Sequence, residues 1–109
     1  MKQGEIRWCQ FPGPDRMRPA VVLTRDSVIP ALGAITVAPL TTKLRDLDSR
    51  VRLGESDGLR GLSDVNLHNL QTLSKPRIGA LMATLSGARM REVSAAIAFA
   101  LGFDRYEED

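Results

Sequence analysis

Residues 18–42 read RPAVVLTRDSVIPALGAITVAPLTT. Two short apolar runs rich in β-branched residues, at 19–24 and 33–40, flank a connector carrying Asp26 and Pro30. Runs of this length, bounded by Pro, Gly and Asp, read as strands rather than helix segments. Both are expected to be central and buried. Pro19 opens its strand, where a missing N–H is tolerated. The connector at 26–32 has room for a helical turn.

Outward from this pair, Ile6, Trp8 and Phe11 among polar neighbours predict a strand of imperfect register over 4–11, and Pro12-Gly13-Pro14-Asp15 predicts a loop. Residues 41–48 are polar and read as a loop, 50–53 as an edge strand, and 54–62, with three glycines, as an exposed loop. Residues 64–73, DVNLHNLQTL, predict a strand that bends or bulges near His68 and Asn69, and Pro76 begins a short turn. The period then changes. Met90, Val93, Ala96, Ile97, Ala100 and Leu101 fall on one face of a helix, with Ser86 as its N-cap and Gly102 as its stop. Strands followed by a terminal helix predict an α+β, mainly β domain: a twisted antiparallel barrel closed by a C-terminal helix.

The 109 residues fit a single domain, 1–109, whose acidic tail at 104–109 is most simply a solvated end. With 43% apolar and 26% charged residues, the composition is globular. No apolar run is long enough to span a bilayer, and MKQGEIRW lacks the apolar stretch of a secretory signal. The single cysteine, Cys9, excludes an internal disulfide and fits a reducing cytoplasm. It reads as a buried small residue, and Trp8 as core or interface packing. The net charge is +2, but the six terminal residues hold four acids and one Arg, leaving 14 basic and 9 acidic residues on the body. That excess is compatible with a polyanionic partner.

Nucleotide-binding glycine loops, H-E-x-x-H and C-x-x-C are absent. One His and one Cys cannot build a common zinc site without several carboxylates, so neither metal nor cofactor is expected. Two polar features remain at the ends of the central strands: Arg16-Met17-Arg18 entering the first, and Thr41-Thr42-Lys43 leaving the second. An Arg fork and a hydroxyl held on rigid neighbouring strands can grip a phosphate. Spacing alone leaves Arg18 equally readable as a strand-edge charge and Thr41 as a strand-ending residue.

The segments GEIRWCQFPGP, RPAVVLT, ITVAPLTT and SDVNLHNLQTLSKPRI, with the alanine-rich final helix, together resemble the MazF/PemK group of toxin ribonucleases. The resemblance runs in order from about residue 3 to residue 103. It implies an SH3-like barrel, a homodimer, metal-independent cleavage of single-stranded RNA, and a MazE-like antitoxin partner. It places the catalytic Arg at Arg18 and the catalytic hydroxyl at Thr41, with Thr42 adjacent. RNA-contacting positions of the family fall on Arg25, His68 and Asn69, and the polar neighbours Arg16, Thr42 and Lys43 are further RNA-binding candidates. This chain has His68-Asn69 where the family more often has an acid followed by Gln. A CcdB-like gyrase poison shares the implied fold but needs no Arg–Thr pair, and a non-catalytic RNA-binding domain is the third reading.

RNA cut without a metal supplies its own nucleophile, the 2′-hydroxyl. Charge then gathers on the two non-bridging oxygens, where a fixed Arg and a hydroxyl stabilise it. With a pKa above roughly 12, Arg is a poor proton shuttle, so holding charge is its natural role.

Overall fold

The computed structural model describes residues 1–14 and 16–106. Residue 15 of the expected loop and residues 107–109 of the acidic tail lie outside them. Seven strands run β1 (Glu5–Gln10), β2 (Met17–Val22), β3 (Ala34–Thr41), β4 (Arg50–Leu53), β5 (Ser63–Asn66), β6 (Gln71–Ser74) and β7 (Ile78–Thr84), followed by helix α1 (Gly87–Leu101). All pairings are antiparallel, in the order β4-β5-β3-β2-β1-β7, with β6 also on β3. This is an open sheet. A closed barrel was expected; β4 and β7 instead end the path, and no ladder joins them among the described residues.

The apolar runs of β2 and β3 are explained by a sheet covered on both faces. Val21, Ala38 and Leu40 join Ile6, Val51, Leu53, Val65 and Leu67 in one core, against Val93 and Ala96 of α1. Ala20, Val22, Ile35 and Val37 face the other way, into a core with Cys9, Phe11, Ile29, Leu73 and Ile78. Each fully buried large aliphatic group contributes roughly 1.5–3 kcal/mol relative to exposure, so these two clusters carry most of the stability. Cys9 is fully buried, and that burial pushes its thiol up to about 11, partly opposed by the Arg7 charge. Phe11 is five residues from Ile6 and so lies on the opposite face of the strand. It joins Cys9 in the second core, and β1 shifts register against β7 on both sides of Arg7. Trp8 is not core: it is 40% exposed.

The helix forms where its caps put it. The Ser86 hydroxyl accepts the Arg89 N–H at 3.1 Å, and Gly102 takes the left-handed conformation (φ 76°) that ends the last turn. The Arg89 guanidinium grips Asp57 through two bonds, 2.9 and 3.1 Å, tying the 54–62 loop to α1.

Residues 64–73 do bulge, and β3 supplies the reason. β5 pairs Val65 with Leu40, and β6 pairs Gln71 with Val37, on the same edge of β3. Ala38 and Pro39 are thus matched by five residues, 66–70. Thr36 turns its carbonyl toward Leu23 on the β2 side, whereas Gly33 accepts from Lys75 on the other edge. By that alternation Pro39 faces the β5–β6 edge, where it has no N–H to give. The ladder breaks there and the opposing chain loops outward, carrying His68 and Asn69 into solvent.

Candidate active site

Arg18 lies within β2, opposite Cys9 of β1, rather than before the strand as its sequence position implied. β2 and β3 pair Ala20 with Pro39. The ladder ends there; the same register continued two residues further would set Arg18 opposite Thr41, and the two residues line one recess. Both continue columns that are apolar deeper in the sheet: Val22 and Ala20 lead to Arg18, and Val37 and Pro39 lead to Thr41. At this end the second core stops and polar groups take over on a rigid frame.

Arg18 borders two adjoining recesses. The larger, about 350 Å³, is lined by Arg18, Pro19, Leu40, Thr41, Thr42 and Lys43. The smaller, about 70 Å³, is lined by Phe11, Arg16, Arg18, Pro39, Asn69 and Gln71. Six of the eight expected site residues therefore meet around Arg18. His68 does not line either recess; it is exposed in the bulge, its backbone N–H on Asn66 Oδ1 at 3.2 Å. Arg25 follows β2 at its other end and precedes the 3-10 turn of Asp26–Ala31. It lines neither recess. Gln71 enters the smaller recess although nothing in its sequence context marked it.

The Thr41 hydroxyl oxygen accepts the Lys43 N–H at 3.1 Å. That bond fixes the oxygen and leaves the hydroxyl proton free to donate into the recess. No carboxylate or imidazole is among the residues lining either recess. Arg18 and Lys43 make no ion pair with any described residue. The site is thus a cluster of unneutralised cations beside an oriented hydroxyl, chemistry suited to phosphoryl oxygens.

The description "PemK-like, MazF-like toxin of type II toxin-antitoxin system" matches residues 2–101. The chain belongs to this family. It is 38% identical over 104 residues to a probable endoribonuclease, MazF5, of Mycobacterium tuberculosis, an alignment covering 94% of each protein. Its fold is similar to that of the Mycobacterium tuberculosis toxin MazF-mt6: TM-score 0.83, 33% identity, 90% of this chain and 96% of that one. It is also similar to a mycobacterial endoribonuclease solved with its cognate antitoxin: TM-score 0.82, 25% identity, 94% of this chain and 95% of that one. Among the described residues, no helix of this family member is long and apolar enough to cross a membrane.

Sequence reasoning missed one cluster. Asp64 of β5 pairs in register with Thr41, and its side chain is 1% exposed. Its carboxylate accepts the Arg45 N–H at 2.8 Å, Arg52 Nε at 3.0 Å and Arg50 Nη1 at 3.3 Å. Arg52 also reaches Asp46 at 2.8 Å, and Arg50 reaches the Lys43 carbonyl at 2.7 Å. A carboxylate inside DVNL resembles any strand-end charge, so only the alternation of Arg50 and Arg52 on β4 hinted at a partner. Burial pushes the Asp64 carboxyl up, but the bonds from Arg52, Arg45 and Arg50 outweigh it and hold the group below the ordinary range. Asp57 is lowered as well, first by its bond to Arg89, against burial. Both groups are depressed in the folded state, so the stability they contribute is present above the unfolded carboxylate pKa, near 3.9. It is lost as pH falls through the folded values. Thermal unfolding followed from pH 7 downward should show a flat midpoint to about pH 5, then a steep fall. Asp64→Asn should flatten that acid limb, and an unchanged limb would show that the cluster does not carry the acid response.

Proposed function

We propose that this protein is a toxin endoribonuclease that cuts single-stranded RNA by attack of the RNA's own 2′-hydroxyl. The observation that carries the reading is the recess where Arg18 and Thr41 meet on neighbouring strands, in a chain of this family. The 2′-oxygen forms a bond to phosphorus while the bond from phosphorus to the 5′-oxygen breaks. The 2′-proton leaves and the 5′-oxygen gains one. The products are a 2′,3′-cyclic phosphate, or the 3′-phosphate from its opening, and a 5′-hydroxyl. Arg18 and the Thr41 hydroxyl meet the non-bridging oxygens as charge builds there. Lys43 and Arg16 hold flanking phosphates, and Asn69 and Gln71, which can both donate and accept hydrogen bonds, face the adjoining nucleotide.

The lining cations would repel a metal ion, so cutting is expected to persist in EDTA. The partners proposed are single-stranded RNA, a MazE-like antitoxin of the kind solved with the mycobacterial relative, and a second copy of this chain. The open edges at β4 and β7 favour assembly.

One assay tests the reading. The purified protein is incubated with a long RNA in EDTA, and both new ends are mapped. Cyclic or 3′-phosphate with 5′-hydroxyl ends is the expected result. Absence of cutting returns the chain to a gyrase-poisoning or RNA-binding role; 3′-hydroxyl ends would exclude attack by the 2′-oxygen.

A further inference from the structure

The loop that leaves Thr41 has little apolar anchorage. Residues 42–48 are all exposed. Yet Lys43 N–H must stay in place to orient the Thr41 hydroxyl. Besides its own turn bonds, from the Leu47 N–H to the Arg45 carbonyl and from the Arg50 N–H to the Leu47 carbonyl, three attachments involving side chains hold this loop. Arg50 Nη1 holds the Lys43 carbonyl, the Arg45 N–H bonds a carboxylate directly, and Arg52 Nη1 holds Asp46. All three converge on one group. Arg50 and Arg52 both donate to Asp64, and the carboxylate on Arg45 is again Asp64.

We propose that Asp64 is a positioning residue for the RNA-cutting reaction: through Arg50 and the Lys43 peptide it fixes the Thr41 hydroxyl in the geometry the transition state requires. This rests on the nuclease reading above. Asp64 lines neither recess beside Arg18; it lies at the floor of a separate one with Arg45, Arg50 and Arg52, and its effect on Thr41 is indirect. It acts along a short path: its carboxylate holds the Arg50 guanidinium, which holds the Lys43 carbonyl, and that residue's N–H orients Thr41 Oγ1. No buried side-chain nitrogen or oxygen among the described residues lacks a partner, so the Asp64 carboxylate at the centre, 1% exposed, is fully satisfied. A fully satisfied buried group of this kind specifies one geometry for the groups bonded to it. A displacement of about 1 Å at a reacting group can cost on the order of 100-fold in rate.

The test uses Asp64→Asn together with Arg50→Met, which cuts the link to Lys43 while leaving Arg45 and Arg52 on Asp64. Steady-state cutting of a short RNA gives kcat and KM, single-turnover cutting isolates the chemical step, and amide hydrogen exchange reports on residues 43–47. Both variants should lower kcat by about 10- to 100-fold, change KM by less than about threefold, and speed exchange at Lys43 and Arg45 but not in α1. In a Thr41→Ala background the same substitutions should cost almost nothing further, because the group they position is gone. Losses that multiply with Thr41→Ala, losses confined to KM, or unchanged exchange would each overturn the assignment. Should Asp64→Asn fail to fold, Arg50→Met alone decides by the same readouts. A wild-type protein that cuts no RNA overturns the nuclease reading and this role with it. A wild-type that cuts, with both variants cutting equally fast, overturns this role alone.

Discussion

Arg18→Ala lowers the rate of RNA cutting by at least about 100-fold, with the thermal midpoint nearly unchanged. The size follows from where the guanidinium sits. It pairs with no described carboxylate, so its charge is undiminished for a phosphoryl group. It is carried by a strand that pairs with β1 at Arg18 itself and with β3 from Ala20 onward, so little reorganisation is needed as charge develops. Stability is spared because the side chain is exposed and surface substitutions of this kind stay within about 0.5 kcal/mol. Arg18→Lys should recover only part of the loss, since an ammonium keeps the charge but not the fork. Single-turnover rates and end mapping check both. Full activity in Arg18→Ala would move the chemistry away from this recess.

The second large effect belongs to Thr41. Thr41→Val keeps the shape and removes the hydroxyl, and it should cost about 100-fold or more. Thr41→Ser should stay within about tenfold, since the oxygen can still accept the Lys43 N–H and donate its proton. Thr42→Val, one residue on, should cost far less. Thr42 borders the same recess, but its hydroxyl lacks the bond that fixes Thr41. Measured in parallel, the three variants decide which hydroxyl serves; a larger loss at Thr42 would reverse the assignment.

Much of the fold was legible because it is written in local pattern. The caps of α1 are single residues with single jobs, Ser86 and Gly102, and both sit where periodicity ends. The β2 and β3 runs announced central strands because a sheet with cores on both faces must be apolar at every position. What stayed hidden was set by distant partners. The sequence carries no sign that the ladder path ends at β4 and β7, because that depends on pairing between strands far apart along the chain. In the site, Arg18, Arg16, Thr41, Thr42, Lys43 and Asn69 were named in advance, and the fold gathers them. Arg25 and His68 were named by resemblance to the family, but position in a motif does not bring a side chain into a recess. Asp64 was illegible: its meaning comes from three arginines whose convergence exists only once β4 lies beside β5.

The Pro39 interruption has a consequence for how such a protein can vary. His68 and Asn69 project between two ladders that are each registered independently on β3. An insertion or deletion there is absorbed by the projection, and neither hydrophobic face is inverted by a one-residue slip. Asn69, which borders the Arg18 recess, sits on that adjustable piece, whereas Arg18 and Thr41 sit on the rigid one. On the proposed function, selectivity at Asn69 and catalysis at Arg18 and Thr41 would then sit on separately evolvable parts of one small sheet.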